Sequence, residues 1–330
     1  MKWRLLIVGV ALVVALPVAT VSGAGLALRG VVAISVTVEG QPVGWSASGI
    51  VLTGSGEVLT TNDVIRDAAS ITVSDRDSGR AYSATVIGYD ETADIAVLKL
   101  RGAFGLPTAP LGNSALAKAG EAVTAYGSLG LRGGPLLAAH GEILLPQQGF
   151  VEENMDGSLG LELPGLLSND APALPESVGG PLVDAGGNVI GVNVLGRASY
   201  GATPIGLEGA IPIDRARSIA ERISNGKASL AIHVGPTAML GMTLEPGDLY
   251  EGLTTGVTVL TVIPGSPLDK AGLAPGDIIE SFAGKSVTAP SELTNLLLTS
   301  KPGRRVELVW VGVAGGVHEA NVRLAVGPPQ

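Results

Sequence analysis

The sequence predicts a mostly β chain in two units, and three observations lead there. Short runs rich in Val, Ile, Thr and Leu are punctuated by Gly, Asn and Asp turns along the 330 residues, a length that suits about two domains. Glycine (48) and proline (21) are abundant while aromatics make up 3%, which favours many short strands around aliphatic cores. Helical spacing is confined to a few places, of which Ile213 to Ser224 is the clearest in the first unit. There Ile213, Ala216, Ile219, Ala220 and Ile223 recur at three- and four-residue intervals.

The strands follow in order. Val31 to Val38 (VVAISVTV) reads as a strand, and Ser48 to Thr61 as a hairpin around Gly54-Ser55-Gly56. Ala69 to Asp90 reads as two strands around Asp75 to Gly79. DIAVLKL, EAVTAYG, GEILL, PLVDAGGNVIGVNVL and GLEGAIPI continue at intervals typical of a barrel or sandwich. The polar break SNGKAS (Ser224 to Ser229) reads as the start of a linker over 224–234. Beyond it, strands are expected at TAMLGMTL, TGVTVLTVI, DIIESFAG, RRVELVWVGV and VHEANVRLAV. A helix is expected from Pro290, which suits a first turn, to the stop at Lys301-Pro302-Gly303.

Composition excludes several functions. The net charge of −9 and the absence of a Lys/Arg-rich run argue against a nucleic-acid partner. With no cysteine there are no disulfides and no thiolate metal sites. His140, His233 and His318 lack metal-ligand spacing, so no metal and no cofactor are expected. At the N-terminus, Lys2 and Arg4 precede an uncharged run from Leu5 to Leu28. Residues 1–28 read as a signal peptide, with small residues near Val21 to Ala24 for cleavage, or as a signal-anchor that holds the chain to a membrane. Either way the chain is expected to be exported to the cell envelope, membrane-anchored or secreted.

Three blocks carry a resemblance. Ser48 to Ala68 (SGIVLTGSGEVLTTNDVIRDA), Gly88 to Leu100 (GYDETADIAVLKL) and Ser168 to Asn193 (SNDAPALPESVGGPLVDAGGNVIGVN) resemble the HtrA/DegP family of exported trypsin-like serine proteases, especially its PepA-like members. The resemblance implies a trypsin-like double β-barrel over 29–223, and it maps the catalytic triad residue by residue. The histidine of the family's T-N-N-H-V turn falls on Asp63. The aspartate before I-A-V-L-K is present as Asp94. The nucleophilic serine before G-G-P-L-V falls on Val178, and the family's glycine two places earlier falls on Glu176.

The orienting carboxylate is therefore kept while both groups that do covalent work are replaced. A serine hydroxyl needs a base to take its proton, and histidine supplies it. Valine offers no nucleophilic atom, and an aspartate, with an ordinary pKa of about 3.9, is poorly matched to general-base work at neutral pH. Ser177 is the stand-in to consider, but a one-residue shift turns its side chain away from the N–H pair that stabilises an oxyanion. The fold should bring Asp63 and Asp94 together. Such a pair could share a proton, whereas a divalent ion would need more oxygen ligands than these two.

Residues 235–327 resemble a PDZ domain, most specifically in VIPGSPLDKAGLAPGDIIESFAGKSV (Val262 to Val287). The resemblance implies a small α+β unit that binds the C-terminal or exposed segments of peptides and proteins. Leu240, Gly241 and Met242 would form the carboxylate loop, Thr243 would begin the strand edge that pairs with the peptide, and Leu293 and Leu297 would stand on the facing helix with Thr294 and Leu298. Whether each Leu faces the groove or the core stays open at this level. Family resemblance also implies a homotrimer. Three functions follow for weighing: a proteolytically inactive adaptor, regulator or chaperone-like peptide binder; an active endopeptidase using non-standard groups; or a structural envelope protein with a closed groove.

Overall fold

The structure, a computed structural model, describes residues 28–38, 44–128, 136–153, 159–172, 174–200, 203–243 and 256–330. Of the expected leader, residues 1–28, all but the last lie outside them. Leu28, read from the sequence as the end of that leader, is buried in the core instead.

The first barrel consists of β1 (Val31–Val38), β2 (Trp45–Thr53), β3 (Glu57–Thr60), β4 (Ala68–Asp75), β5 (Ala81–Asp90) and β6 (Ile95–Leu100), with the single-turn helix α1 (Asn62–Ile65) between β3 and β4. The strands run β5-β4-β1-β2-β3-β6, and β5 also pairs with β6, which closes the ring. The second barrel closes in the order β10-β11-β12-β9-β8-β7. Its strands are β7 (Ala122–Ser128), β8 (Leu136–Glu153), β9 (Leu159–Asn169), β10 (Pro181–Asp184), β11 (Val189–Tyr200) and β12 (Thr203–Pro212). Closure leaves no free edges.

The near-continuous apolar strands of the first barrel have a physical reason. Successive side chains point to opposite faces, and here both faces are buried. Val32, Ile34, Val51, Val58, Ala96 and Leu98 fill the barrel interior. Their neighbours Val31, Ile50, Leu59, Ile95 and Val97 form a seam with Val192, Val194 and Ile211 of the second barrel. Helix α2 (Ile213–Ser224) completes that seam, burying Ile213, Ala216, Ala220 and Ile223 as its spacing predicts.

One expected linker segment is structured. Residues 232–234 form β13 (Ile232–Val234), which adds to the first barrel beside β5 with His233 opposite Tyr89. Ile232 and His233 are both buried there, so the linker is shorter than the polar break implies. The PDZ-like unit then contains β14 (Thr237–Met239), β15 (Met242–Thr243), β16 (Val257–Thr258), β17 (Thr261–Val262), helix α3 (Pro267–Ala271), β18 (Ile278–Phe282), β19 (Lys285–Ser286), helix α4 (Pro290–Leu298), β20 (Arg305–Val311), β21 (Val317–Arg323) and β22 (Ala325–Gly327). Each of the two strands expected over Thr237 to Leu244 and Thr255 to Ile263 is divided into shorter pieces that pair with different partners. Among the described residues, no helix is long and apolar enough to cross a membrane.

Helix α2 is tied to the second barrel by polar contacts at its first turn. The Ser114 hydroxyl donates to Asp214 Oδ2 at 2.7 Å, and the Asp214 N–H donates back to Ser114 Oγ at 3.2 Å. The Ser114 hydrogen bond foremost, with lesser help from the Ala115 N–H, holds the Asp214 carboxyl below its ordinary range. A depressed carboxylate contributes stability above the unfolded value of about 3.9 and loses it as pH falls through the lower folded value. Ser114→Ala is therefore expected to lower stability by about 1 kcal/mol at pH 7. The gap to the unsubstituted chain should narrow below about pH 4, as urea melts across pH will test.

Candidate functional site

Two of the positions that the resemblance assigns to the triad, Asp63 and Asp94, meet at α1. Its first turn is buried from Thr61 through Ile65, and the Trp45 indole N–H donates to the Val64 carbonyl at 2.8 Å. Asp94 sits at the start of β6 on a left-handed residue with φ of 50°. The preceding turn is organised by Asp90, whose Oδ1 accepts from the Ala93 N–H at 3.1 Å and the Thr92 hydroxyl at 2.8 Å. This turn aims the Asp94 carboxylate at α1, where Oδ1 accepts the Asp63 backbone N–H at 2.8 Å. Asp63 and Asp94 are thus brought together, as expected, and both are buried.

The Asp63 carboxylate has a partner that sequence reasoning missed. Arg66 Nη2 lies 2.7 Å from Asp63 Oδ1, an i,i+3 ion pair between α1 and the residue that caps its C-terminal end. The guanidinium favours the ionised form of the Asp63 carboxylate. The spacing Asp63-Val64-Ile65-Arg66 carried the signal, since residues three apart on a helix are neighbours.

Residues 174–180, where the resemblance places the nucleophile turn, are fixed by a set of backbone and side-chain hydrogen bonds. Pro175–Ser177 form a 3-10 turn in which the Ser177 N–H donates to the Leu174 carbonyl at 2.8 Å. The Val178 N–H, which the family's turn would offer to an oxyanion, donates to the Pro175 carbonyl at 3.4 Å. Ser48 pins the loop to the first barrel: its N–H donates to the Val178 carbonyl at 2.8 Å, and its hydroxyl to the Glu176 carbonyl at 2.6 Å. Gly179, at φ of 75°, could carry no side chain, because a Cβ would lie 2.1 Å from Thr60 Oγ1. Val178 itself packs into the first barrel's interior, 2% exposed. Ser177 is equally buried, and its Oγ donates to the Leu174 carbonyl at 2.7 Å.

The three histidines are engaged elsewhere. His140 meets Thr124 Oγ1 at 3.0 Å, His318 stacks on Trp310, and His233 lies against Tyr89.

A second site forms in the PDZ-like unit, where a cavity of about 410 Å³ is lined by β14, the Leu240-Gly241 turn, β15 and the C-terminal half of α4. The Leu240 carbonyl accepts from the Leu268 N–H at 3.1 Å and the Gly241 carbonyl from the Ile263 N–H at 2.9 Å. In a trans peptide the N–H points opposite to the carbonyl. The Gly241 and Met242 N–H groups are therefore directed away from the domain interior. Gly241, at φ of 86°, is required in this turn, since a Cβ would lie 2.2 Å from Ser266 Cβ.

Of the groove residues expected from sequence, Leu240, Gly241, Met242, Thr243 and Leu297 line this cavity, together with Thr294 and Leu298. Leu293 does not: it is fully buried in the unit's core with Ile279, Phe282 and Leu308. Thr294, Leu297 and Leu298 follow the same i, i+3, i+4 spacing as a core stripe, so periodicity alone could not choose between the faces. Asp67, Pro328 and Gln330 also line the cavity. They arrive from distant parts of the chain, and no local pattern announces them.

Comparisons with known proteins agree with this architecture. Residues 47–192 match a trypsin-like peptidase domain and residues 258–312 a PDZ domain. The chain is 34% identical over 297 residues to a protein of Synechocystis sp. named as the serine protease HhoB, covering 86% of this chain and 66% of that protein. It is 33% identical over 278 residues to a periplasmic serine endoprotease DegP-like protein of Hahella chejuensis (82% and 54% covered). It is also 33% identical over 279 residues to serine protease HTRA1 of Xenopus tropicalis (80% and 56% covered). The chain thus spans about half to two thirds of the length of these curated relatives. With two closed barrels, a PDZ unit and these relatives, the chain belongs to the HtrA/DegP family of trypsin-like proteases.

Proposed function

We propose that this chain is a proteolytically inactive HtrA-like protein of the bacterial envelope that binds C-terminal or exposed peptide segments in its PDZ groove, as an adaptor, regulator or chaperone-like binder. One observation carries the reading. The base position holds a carboxylate paired with Arg66, and the nucleophile position holds a valine sunk in the barrel core. Without a nucleophile and base, no acyl-enzyme can form by the triad route. The envelope setting is supported by the apolar N-terminal run and by relatives named as periplasmic. Assembly as a homotrimer, and a membrane contact through an uncleaved N-terminal run, belong to the same reading.

The groove chemistry supports the binding half. Two outward N–H groups at Gly241 and Met242 suit a carboxylate, and the β15 edge suits strand addition. Met239, Leu240, Ile263, Leu297 and Leu298 supply apolar walls for a small or medium apolar last residue. Peptides with a free carboxyl terminus are expected to bind the protein with micromolar affinity in fluorescence polarisation. Amidating the terminus or introducing Gly241→Ala should weaken binding at least tenfold, while the melting temperature of the variant reports whether the unit still folds. Equal binding of free-acid and amidated peptides would remove the carboxylate loop from the reading.

A second reading, an active endopeptidase with non-standard groups, is favoured by the relatives' names as serine proteases. Casein hydrolysis separates the two. The purified protein is expected to give none above blank, unchanged by Ser177→Ala. Hydrolysis that disappears with that substitution would establish the second reading.

Restoring Asp63→His and Val178→Ser together is expected to be insufficient, because the N–H at 178 is turned to the Pro175 carbonyl. Adding Glu176→Gly, which frees the turn to adopt positive φ, should raise hydrolysis by about 10²–10³ over the double variant, the usual worth of an oxyanion donor. A double variant as fast as the triple would show that the turn already serves.

A further inference from the structure

We infer that Met239 and Met242 form a redox-sensitive modification site in the peptide cavity. A peroxide converts their thioethers to sulfoxides there and so weakens the hold on peptides with an apolar end. This rests on the peptide-binding reading of the same cavity.

The chain has four methionines and no cysteine. Met1 and Met155 lie outside the described residues, and the other two both line this cavity. Strand alternation sets their exposure. Ala238 and Leu240 are buried in the unit's core, while Met239 between them is partly exposed. Met242, on β15, is also partly exposed and rests one side against the same core. Gly327 of β22 makes room for Met239: a Cβ there would lie 2.7 Å from Met239 Cβ and 3.2 Å from its Sδ. The chain beyond is fixed, since the Asp67 N–H donates to the Pro329 carbonyl at 3.0 Å and the Asn62 side-chain amide to the Gln330 carbonyl at 3.0 Å. The Met239 thioether therefore lies against β22, beside the Pro328 wall of the cavity.

The chemistry is the transfer of one oxygen atom. A sulfur lone pair attacks the O–O bond of hydrogen peroxide, an S–O bond forms, the O–O bond breaks and water leaves. The sulfur is oxidised by two electrons and the peroxide reduced by two. The product is a polar side chain where a flexible apolar one stood. An apolar peptide end seated on this wall would bury the sulfoxide oxygen without a donor, which is costly. At Met242 the new oxygen also brings partial negative charge to the residue whose N–H is directed at the peptide carboxylate. The other apolar walls, Leu240, Ile263, Leu297 and Leu298, offer no such reaction. A dithiol-dependent reductase reverses the change, returning the thioether, water and a disulfide in the reductant.

The test uses the full chain and hydrogen peroxide in graded amounts. Mass spectrometry of proteolytic fragments reads the sulfoxide at each methionine. A fluorescent peptide with a free carboxyl terminus and an apolar last residue reports affinity. Met239 and Met242 are both expected to oxidise while the melting curve stays that of the folded protein, and affinity is expected to fall about tenfold. Methionine sulfoxide reductases for both epimers, supplied with a dithiol, should restore it. The Met239→Leu, Met242→Leu double variant, close in volume, is compared with itself before and after peroxide, and its affinity should not change on treatment. If that variant does not fold, restoration by the reductases decides alone. Four results would overturn the assignment and leave the groove reading intact: methionines that resist peroxide, sulfoxide at both positions without loss of affinity, a loss that persists in the double variant, or a loss that accompanies unfolding. An unoxidised protein that binds no peptide would overturn both.

Discussion

Burial of both faces of the first barrel's strands is the constraint on which the remaining architecture depends. A barrel with one wet face would show polar residues at alternate positions. Here the outward set, Val31, Ile50, Leu59, Ile95 and Val97, is fully apolar and almost inaccessible. It requires a second apolar surface, which the second barrel and α2 provide. The triad-equivalent residues lie beside this junction, with Asp63 and Asp94 on the first barrel and the 174–180 turn arriving from the second. The turn is held by Ser48, whose hydroxyl also accepts the Ser128 N–H at 2.8 Å. The juxtaposition of α1 with the 174–180 turn is therefore set by barrel packing.

The same reasoning explains the residues at 178 and 63. A valine at 178 adds apolar surface to the interior cluster of the first barrel, a favourable use of a buried position. A buried carboxylate at 63 would be costly alone, and the Arg66 guanidinium offsets that cost from a partly exposed position. Both substitutions thus have a structural rationale that makes no reference to catalysis.

Much of the fold was legible because strand alternation and Gly-rich turns are local signals. Helix α2 has the bounds its spacing implies, and Asp63 and Asp94 lie together as the blocks led one to expect. What escaped was long-range. β13 is three residues long, and its partner β5 lies about 140 residues earlier in the chain, so no periodicity could report it. Leu293 and Leu297 sit one helical turn apart, yet one is enclosed by β18 and β20 while the other borders the cavity. That difference is set by where the short α4 rests across the sheet. Asp67 joins the groove only because residues 328–330 lie beside α1.

Asp94 has a structural role of its own in the barrel. A helix leaves its first backbone N–H groups without intrahelical acceptors, and Thr61, at the N-cap of α1, makes no side-chain cap. The Asp63 N–H belongs to this set and is buried, so an acceptor must come from elsewhere; Asp94 Oδ1 supplies it at 2.8 Å. Removing that carboxylate would leave a buried donor without this acceptor, whatever the state of the catalytic groups. The Asp94 carboxylate is therefore a remote helix cap, and its presence has a structural reason that is independent of catalysis.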